Sequence, residues 1–154
     1  MSNYQITVET VAKQLIAAAA QRTTFKNISK EIGALLSGPW DFVRKRPGLR
    51  TDGHNVAIYW EDQGPGDIEV GIQVVEPFEG DAVVVCSATP SGTVARTAHY
   101  GPYSELGPAH QAVREWCRQN QHPIALPFWE IYGDWEDDPA KLRTDVLYLF
   151  KNPL

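Results

Sequence analysis

The 154-residue chain is poor in cysteine, in basic residues and in long apolar runs, and each shortage removes a class of protein. Its two cysteines, Cys86 and Cys117, lie far apart without a CxxC pair, and the opening MSNYQITVET has no secretory leader. A reduced, cytoplasmic protein is expected rather than a disulfide-stapled one. The longest nearly apolar run, Leu15 to Ala20, falls far short of the roughly 20 residues that span a bilayer, so no membrane insertion is expected. Lys and Arg number 14 against 19 Asp and Glu, a net charge of −5. Direct nucleic-acid binding, which needs a concentrated basic face, is therefore not expected. The one basic cluster, Arg44-Lys45-Arg46 with Arg50 nearby, reads as the solvated end of a helix.

Signatures of catalysis and metal binding are equally scarce. The four histidines, His54, His99, His110 and His122, show no HxH or HxxxH spacing, so no metal site is expected. There is no GxSxG nucleophile motif, and GPGD at 64–67 lacks the helix that must follow a phosphate loop. The acidic DWEDDP at 134–139 lacks the ligand spacing of a calcium loop and reads as a solvated turn. No cofactor is expected.

What is present is a globular composition, 43% hydrophobic and without low-complexity tracts, which predicts one domain over 1–154. Residues 4–11 alternate as a half-buried strand does. The next segment, LIAAAAQRTTF, has the intrinsic propensity of a helix. Apolar residues at 28, 32, 35, 36, 40 and 43 predict a helix over about 27–46, kinked at Ser37-Gly38-Pro39 and stopped by Pro47-Gly48. NVAIYW and DIEVGIQV predict a hairpin, AVVVCSAT and TVARTAHY a second, and LPFWEIYGDW with LRTDVLYLF a third pair of strands. Between the last two lies an amphipathic helix with Leu106, Ala109, Val113, Trp116 and Cys117 on its apolar stripe, and Ser104 as its expected N-cap.

An internal repeat decides the alanine run. Without a gap, Val8 aligns with Cys86, Ile16 with Val94, Ala17 with Ala95, Phe25 with Tyr103, Ile28 with Leu106 and Leu35 with Val113. Farther on, Ile58-Tyr59 aligns with Ile131-Tyr132. The pseudo-repeats span about 4–76 and 82–151, each reading strand, strand, helix, strand, strand, so LIAAAAQRTTF becomes a strand. The fold class is α+β, a duplicated strand-strand-helix-strand-strand module. One antiparallel sheet would carry two helices packed on one face and a ligand concavity on the other.

Within PFWEIYG, period two puts Phe128, Glu130 and Tyr132 on one face and Trp129 and Ile131 on the other. The apolar pair would suit the helix-facing core, leaving Glu130 to project from the opposite face. Either that face is solvated and Glu130 is an ordinary surface residue, or Glu130 sits among aromatics as the counter-ion of a cationic ligand. The repeat brings Tyr59 opposite Tyr132, which favours a site for flat, apolar cations. Among the five tryptophans, Trp116 and Trp129 read as core, whereas Trp40, Trp60 and Trp135 are free to line a pocket mouth. His99 and Tyr103 bracket a Tyr-Gly-Pro turn before the second helix, as turn residues or as ligand contacts.

The segments TVARTAHYGPYSELGPAHQAVREWC, FWEIYGDW and LRTDVLYLF, in this order and spacing, resemble the GyrI-like small-molecule-binding domain. That domain shares its fold with the effector-binding domains of AraC-type and MerR-type multidrug regulators. The resemblance extends over essentially the whole chain, more weakly before residue 54. It implies a duplicated α+β module with a central pocket for aromatic or lipophilic, often cationic compounds, and by motif match it makes Glu130 the pocket carboxylate. Ala57 is the first-half counterpart of Glu130, so a single carboxylate is expected. Tyr59, Tyr132, Phe128, Trp40, Tyr103 and His99 are the expected neighbours. The chain begins at a strand rather than at a helix-turn-helix, so direct transcriptional control is not expected. Some stand-alone proteins resembling the family hydrolyse cyclopropane-bearing alkylators, which would cast Glu130 as general base with Tyr132 beside it. A gyrase-directed interaction is the third role the resemblance raises.

Overall fold

The alanine run is a strand. In a computed structural model describing residues 4–62 and 64–151, Gln14–Thr23 forms β2, and Ile16, Ala17, Ala18 and Ala19 are almost entirely buried in the sheet. Ala17 packs beneath the helix Ser37–Arg44 and Ile16 and Ala18 into the opposite face, and the neighbouring strand approaches closely. A Cβ added to Gly71 would lie 2.2 Å from the Ala17 carbonyl oxygen. Helix propensity, worth a few tenths of a kcal/mol per residue, loses to that tertiary demand.

The chain runs β1 (Thr7–Val11), β2, α1 (Ile28–Leu35), α2 (Ser37–Arg44), β3 (Asn55–Tyr59), β4 (Gly66–Gln73), β5 (Val85–Thr89), β6 (Gly92–Tyr100), α3 (Gly107–Gln119), β7 (Ile124–Tyr132) and β8 (Arg143–Phe150). The fold class is α+β, as expected. The kink predicted near Pro39 divides the first helix into α1 and α2. Pro39 has no N–H to give to Leu35, while Leu36 N still donates to Ile32 O and Trp40 N to Leu36 O. The α3 helix begins at Gly107 after a 3-10 turn, Tyr103–Glu105, and no side chain caps it, so Ser104 does not serve as its N-cap. Among the described residues no helix is long and apolar enough to cross a membrane.

All eight strands form one antiparallel sheet in the order β1-β6-β8-β7-β3-β4-β2-β5. The order is symmetric about the β7/β3 pair, as duplication requires. The predicted hairpins β3/β4 and β7/β8 are present, but β5 and β6 do not pair with each other. Val85–Thr89 pairs with β2 at one end of the sheet, and Thr7–Val11 pairs with β6 at the other. Each half thus lends its first strand to the other half, an arrangement that a reading of adjacent segments cannot reveal.

Both faces of the sheet are buried, for different reasons. One carries the helices: α2 covers Ala17 and Ile72 through Phe42 and Val43, while α3 covers Ala95 and Val146 through Ala109 and Val113. On the other, Ile16, Val56, Ile58, Val94, Trp129 and Leu147 are fully buried without any helical residue. The curl of the sheet covers them. Trp129 and Ile131 therefore belong to the face away from the helices, and Phe128, Glu130 and Tyr132 to the helix-bearing face.

Replacing Gly71 by Ala should lower stability by about 2 kcal/mol or more, because the clash is with backbone. Gly33→Ala, in α1 with nothing within 4 Å of its Cβ position, should raise it by roughly 0.5–1 kcal/mol. Chemical denaturation followed by circular dichroism checks the opposite signs.

Candidate functional site

Three central strands present their side chains in aligned rows. Tyr59, Phe128 and Tyr148 are cross-strand partners on β3, β7 and β8, and the next row is Ala57, Glu130 and Val146. The first row forms a ladder of parallel rings. Centroids are 4.8 Å apart in both Tyr59–Phe128 and Phe128–Tyr148, with interplanar angles of 9° and 11°. The second row places a carboxylate beside that ladder, and its small neighbour Ala57 leaves room above it.

Glu130 is only 4% exposed. An ionised carboxylate taken out of water costs several kcal/mol unless its oxygens are satisfied. Here they are. The Tyr59 hydroxyl donates to Oε1 at 2.9 Å and the Tyr132 hydroxyl to the same atom at 2.5 Å. His110 Nε2 lies 2.6 Å from Oε2, and its Nδ1 lies 2.7 Å from the Tyr148 hydroxyl. With a carboxylate as acceptor, Nε2 carries the proton that faces Glu130. A neutral imidazole then accepts the Tyr148 proton at Nδ1. The result is a chain from Tyr148 through His110 to Glu130.

Burial, with the negative charge of Glu130 next, pushes the Tyr59 and Tyr132 hydroxyls well above the ordinary phenol range. Tyr148 is raised as well, chiefly by burial, with Arg114 acting in the opposite direction. All three are held as neutral donors.

Above this floor lies a cavity of about 540 Å³ on the helix-bearing face, between α1 and α3. Ile28, Ile32 and Leu36 form one wall, Leu106, His110 and Arg114 the other, and Tyr103 closes one end against Tyr132, the ring centroids 5.5 Å apart. Glu61 and Asp62 line the rim from the β3–β4 connection. The concavity is therefore on the same face as the helices, not the opposite one. Each helix covers one half of the sheet, and the gap between them lies above the pseudo-symmetry axis. Nor is Glu130 the only carboxylate, since Glu61 and Asp62 also line the cavity.

Of the residues singled out in the sequence, Glu130, Tyr59, Tyr132, Phe128 and Tyr103 meet at this cavity, and Trp40 and His99 do not line it. Trp40, on α2 itself, packs against the cluster under that helix, donates to Asn55 at 3.0 Å and lies under the Arg50 guanidinium. His99 is 4% exposed, with Nδ1 2.8 Å from the Tyr4 hydroxyl and Nε2 3.2 Å from the Pro102 carbonyl oxygen, so both ring nitrogens serve the turn. Trp60 and Trp135 are exposed and also lie outside the lining. Sequence reading passed over His110, Arg114 and Tyr148. A signal existed: Leu106, His110 and Arg114 recur every four residues, a stripe that turns polar beside the apolar one.

No protein-family model matches the sequence, and no curated protein matches it. Solved structures do. The C-terminal domain of EcmrR superposes with a TM-score of 0.80 at 18% identity, over 97% of this chain and 99% of that one. In the EcmrR–DNA complex the TM-score is 0.83, and this chain spans 57% of the length of that protein. SAV2435 bound to tetraphenylphosphonium gives 0.68 at 12% identity, over 97% of this chain and 94% of that one. A hydrolase from Listeria innocua gives 0.64 at 11% identity, over 98% and 94%. These likenesses establish the fold.

An alkaline titration followed by tyrosine absorbance should show Tyr59, Tyr132 and Tyr148 staying protonated past pH 10 in the folded chain. Their folded pKa values exceed the unfolded one, so their contribution to stability is complete below pH 10 and declines above it. Denaturation midpoints that hold constant above pH 10 would contradict the burial of these hydroxyls.

Proposed function

We propose that this chain, whose fold is that of the GyrI-like effector-binding domains, is a cytoplasmic receptor or sequestering protein for small aromatic or lipophilic, often cationic compounds. The observation that carries this reading is a buried carboxylate, Glu130, beside a ladder of parallel rings at the floor of a partly open cavity. The carboxylate supplies the counter-charge for a cation, and the rings beside it supply apolar surface for the ligand's aromatic groups. Tyr59, Phe128 and Tyr132 supply the floor and Tyr103 an end wall. The apolar wall of α1 suits the rest of a lipophilic ligand. Tetraphenylphosphonium bound to SAV2435, a protein of the same fold, is consistent with this class of ligand.

The Tyr148–His110–Glu130 chain favours a second reading in the same cavity, hydrolysis of a strained electrophile such as a cyclopropane fused to a cyclohexadienone, whose opening aromatises the ring. Glu130 would take a proton from water as the water oxygen bonds to a ring carbon. The breaking C–C bond would send its electron pair to the carbonyl oxygen, where a tyrosine hydroxyl stabilises the phenolate. Tyr132 is placed to be that donor or to orient Glu130. Transcriptional or gyrase-directed roles have no such observation behind them.

Titrating tetraphenylphosphonium into wild type and Glu130→Gln, read by isothermal titration calorimetry, should show at least about tenfold weaker binding for the variant, or about 1.4 kcal/mol. The neutral triphenylphosphine oxide should show little difference. Equal affinity of both proteins for the cation would remove the counter-ion role. Incubation with a cyclopropane-bearing electrophile then separates the two readings: product beyond one equivalent, lost in Glu130→Gln, identifies the hydrolase, and none leaves the receptor.

A further inference from the structure

One charge in the cavity opposes a receptor for simple cations. Arg114 lines the cavity from α3, one helical turn after His110, with its guanidinium carbon 5.4 Å from the Phe128 ring and 5.3 Å from the Tyr148 ring. Phe128 is one of the rings that form the cavity floor. Among the described residues Arg114 has no carboxylate within ion-pair distance, and the neighbouring acid on its helix, Glu115, is paired with Arg118. A guanidinium so placed repels a second positive charge.

The repeat shows where the polarity resides. Continuing the alignment of Ile28 with Leu106, Ile32 matches His110 and Leu36 matches Arg114, and Ala57 stands opposite Glu130. Ile32 and Leu36 also line the cavity. The first half therefore offers an apolar wall, and the second half offers, on corresponding positions, one negative and one positive side chain. His110 reaches Glu130 and Arg114 reaches the ring ladder from consecutive turns of α3, about 6 Å apart along the helix. Arg114 is exposed and lines the cavity, as Glu61 and Asp62 do.

Taking the receptor reading as its basis, we propose that Arg114 makes the cavity bipolar and selects zwitterionic aromatics. These are flat ligands with a cationic group that meets Glu130 and the rings, and a carboxylate or comparable anion that meets Arg114. A carboxylate converts the repulsion into a charge-assisted, bidentate pair, the geometry a guanidinium favours. The same residue then acts against cations that lack the anion, which is how a site discriminates between ligands of equal shape.

A matched pair of dyes tests this. Rhodamine 110 carries a free carboxylate and rhodamine 123 is its methyl ester. Both are titrated into wild type, Arg114→Gln and Arg114→Lys by fluorescence polarisation, with folding checked by circular dichroism. Wild type should prefer the acid by about tenfold. Arg114→Gln should lose that preference by weakening the acid while leaving the ester unchanged or tighter, and Arg114→Lys should restore part of it. An acid-to-ester ratio equal in wild type and Arg114→Gln overturns the proposal, as does an equal weakening of both dyes, which would make Arg114 a ring cover only. The underlying reading fails separately, when Glu130→Gln binds tetraphenylphosphonium as wild type does.

Discussion

The interaction on which the rest of this structure turns is the satisfaction of one carboxylate inside a sheet. Glu130 is buried, and three donors on three different elements converge on it: Tyr59 from β3, Tyr132 from β7 and His110 from α3. Removing a donor would leave part of a charge unsolvated, so β3, β7 and α3 are held in mutual position by a polar contact as well as by packing. Tyr148 extends that network to β8 through His110. The elements meeting at the carboxylate are those that form the floor and one wall of the cavity, so the architecture and the site have a common support.

Duplication explains why such a position exists. Each repeat brings one helical arm to its own half of the sheet, and the exchange of β1 and β5 ties the halves together at both ends. Neither helix reaches the midline, where β3 and β7 pair, and a gap is left there. Side chains of the central rows that would otherwise be core residues then border a cavity. Drift between the halves did the rest: Ala57 opposite Glu130, Ile32 matching His110 and Leu36 matching Arg114 put these three polar side chains in the second half, while Glu61 and Asp62 line the cavity from the first.

Much of this was legible in the sequence. The order of elements, the strand character of LIAAAAQRTTF and the grouping of Phe128, Glu130 and Tyr132 follow from periodicity and the repeat. The face they occupy does not. Period two says which residues go together but not which side holds the helices, and in a curled sheet both sides are apolar, so Trp129 and Ile131 looked as suitable for the helix-bearing face as Phe128 did. The pairing of β5 with β2 was hidden because it joins segments more than 60 residues apart, whereas β5 and β6 are separated by a short turn that imitates a hairpin. His110 was hidden because metal spacing is the usual test for histidines, and its role depends on a carboxylate 20 residues away.

The saturation of Glu130 also bears on what the cavity can do. A carboxylate whose oxygens are already engaged by three donors is less available as a hydrogen-bond acceptor than a free one. A delocalised aromatic cation needs only the charge and apolar ring surface, and can bind with every donor in place. A water molecule that is to be activated needs a lone pair of the carboxylate, so one donor must withdraw first. Tyr132 is the donor nearest the cavity end closed by Tyr103, and His110 keeps its link to Tyr148 if it moves. Binding is thus the use this network supports without rearrangement, and hydrolysis requires that one of these hydrogen bonds open as the substrate enters.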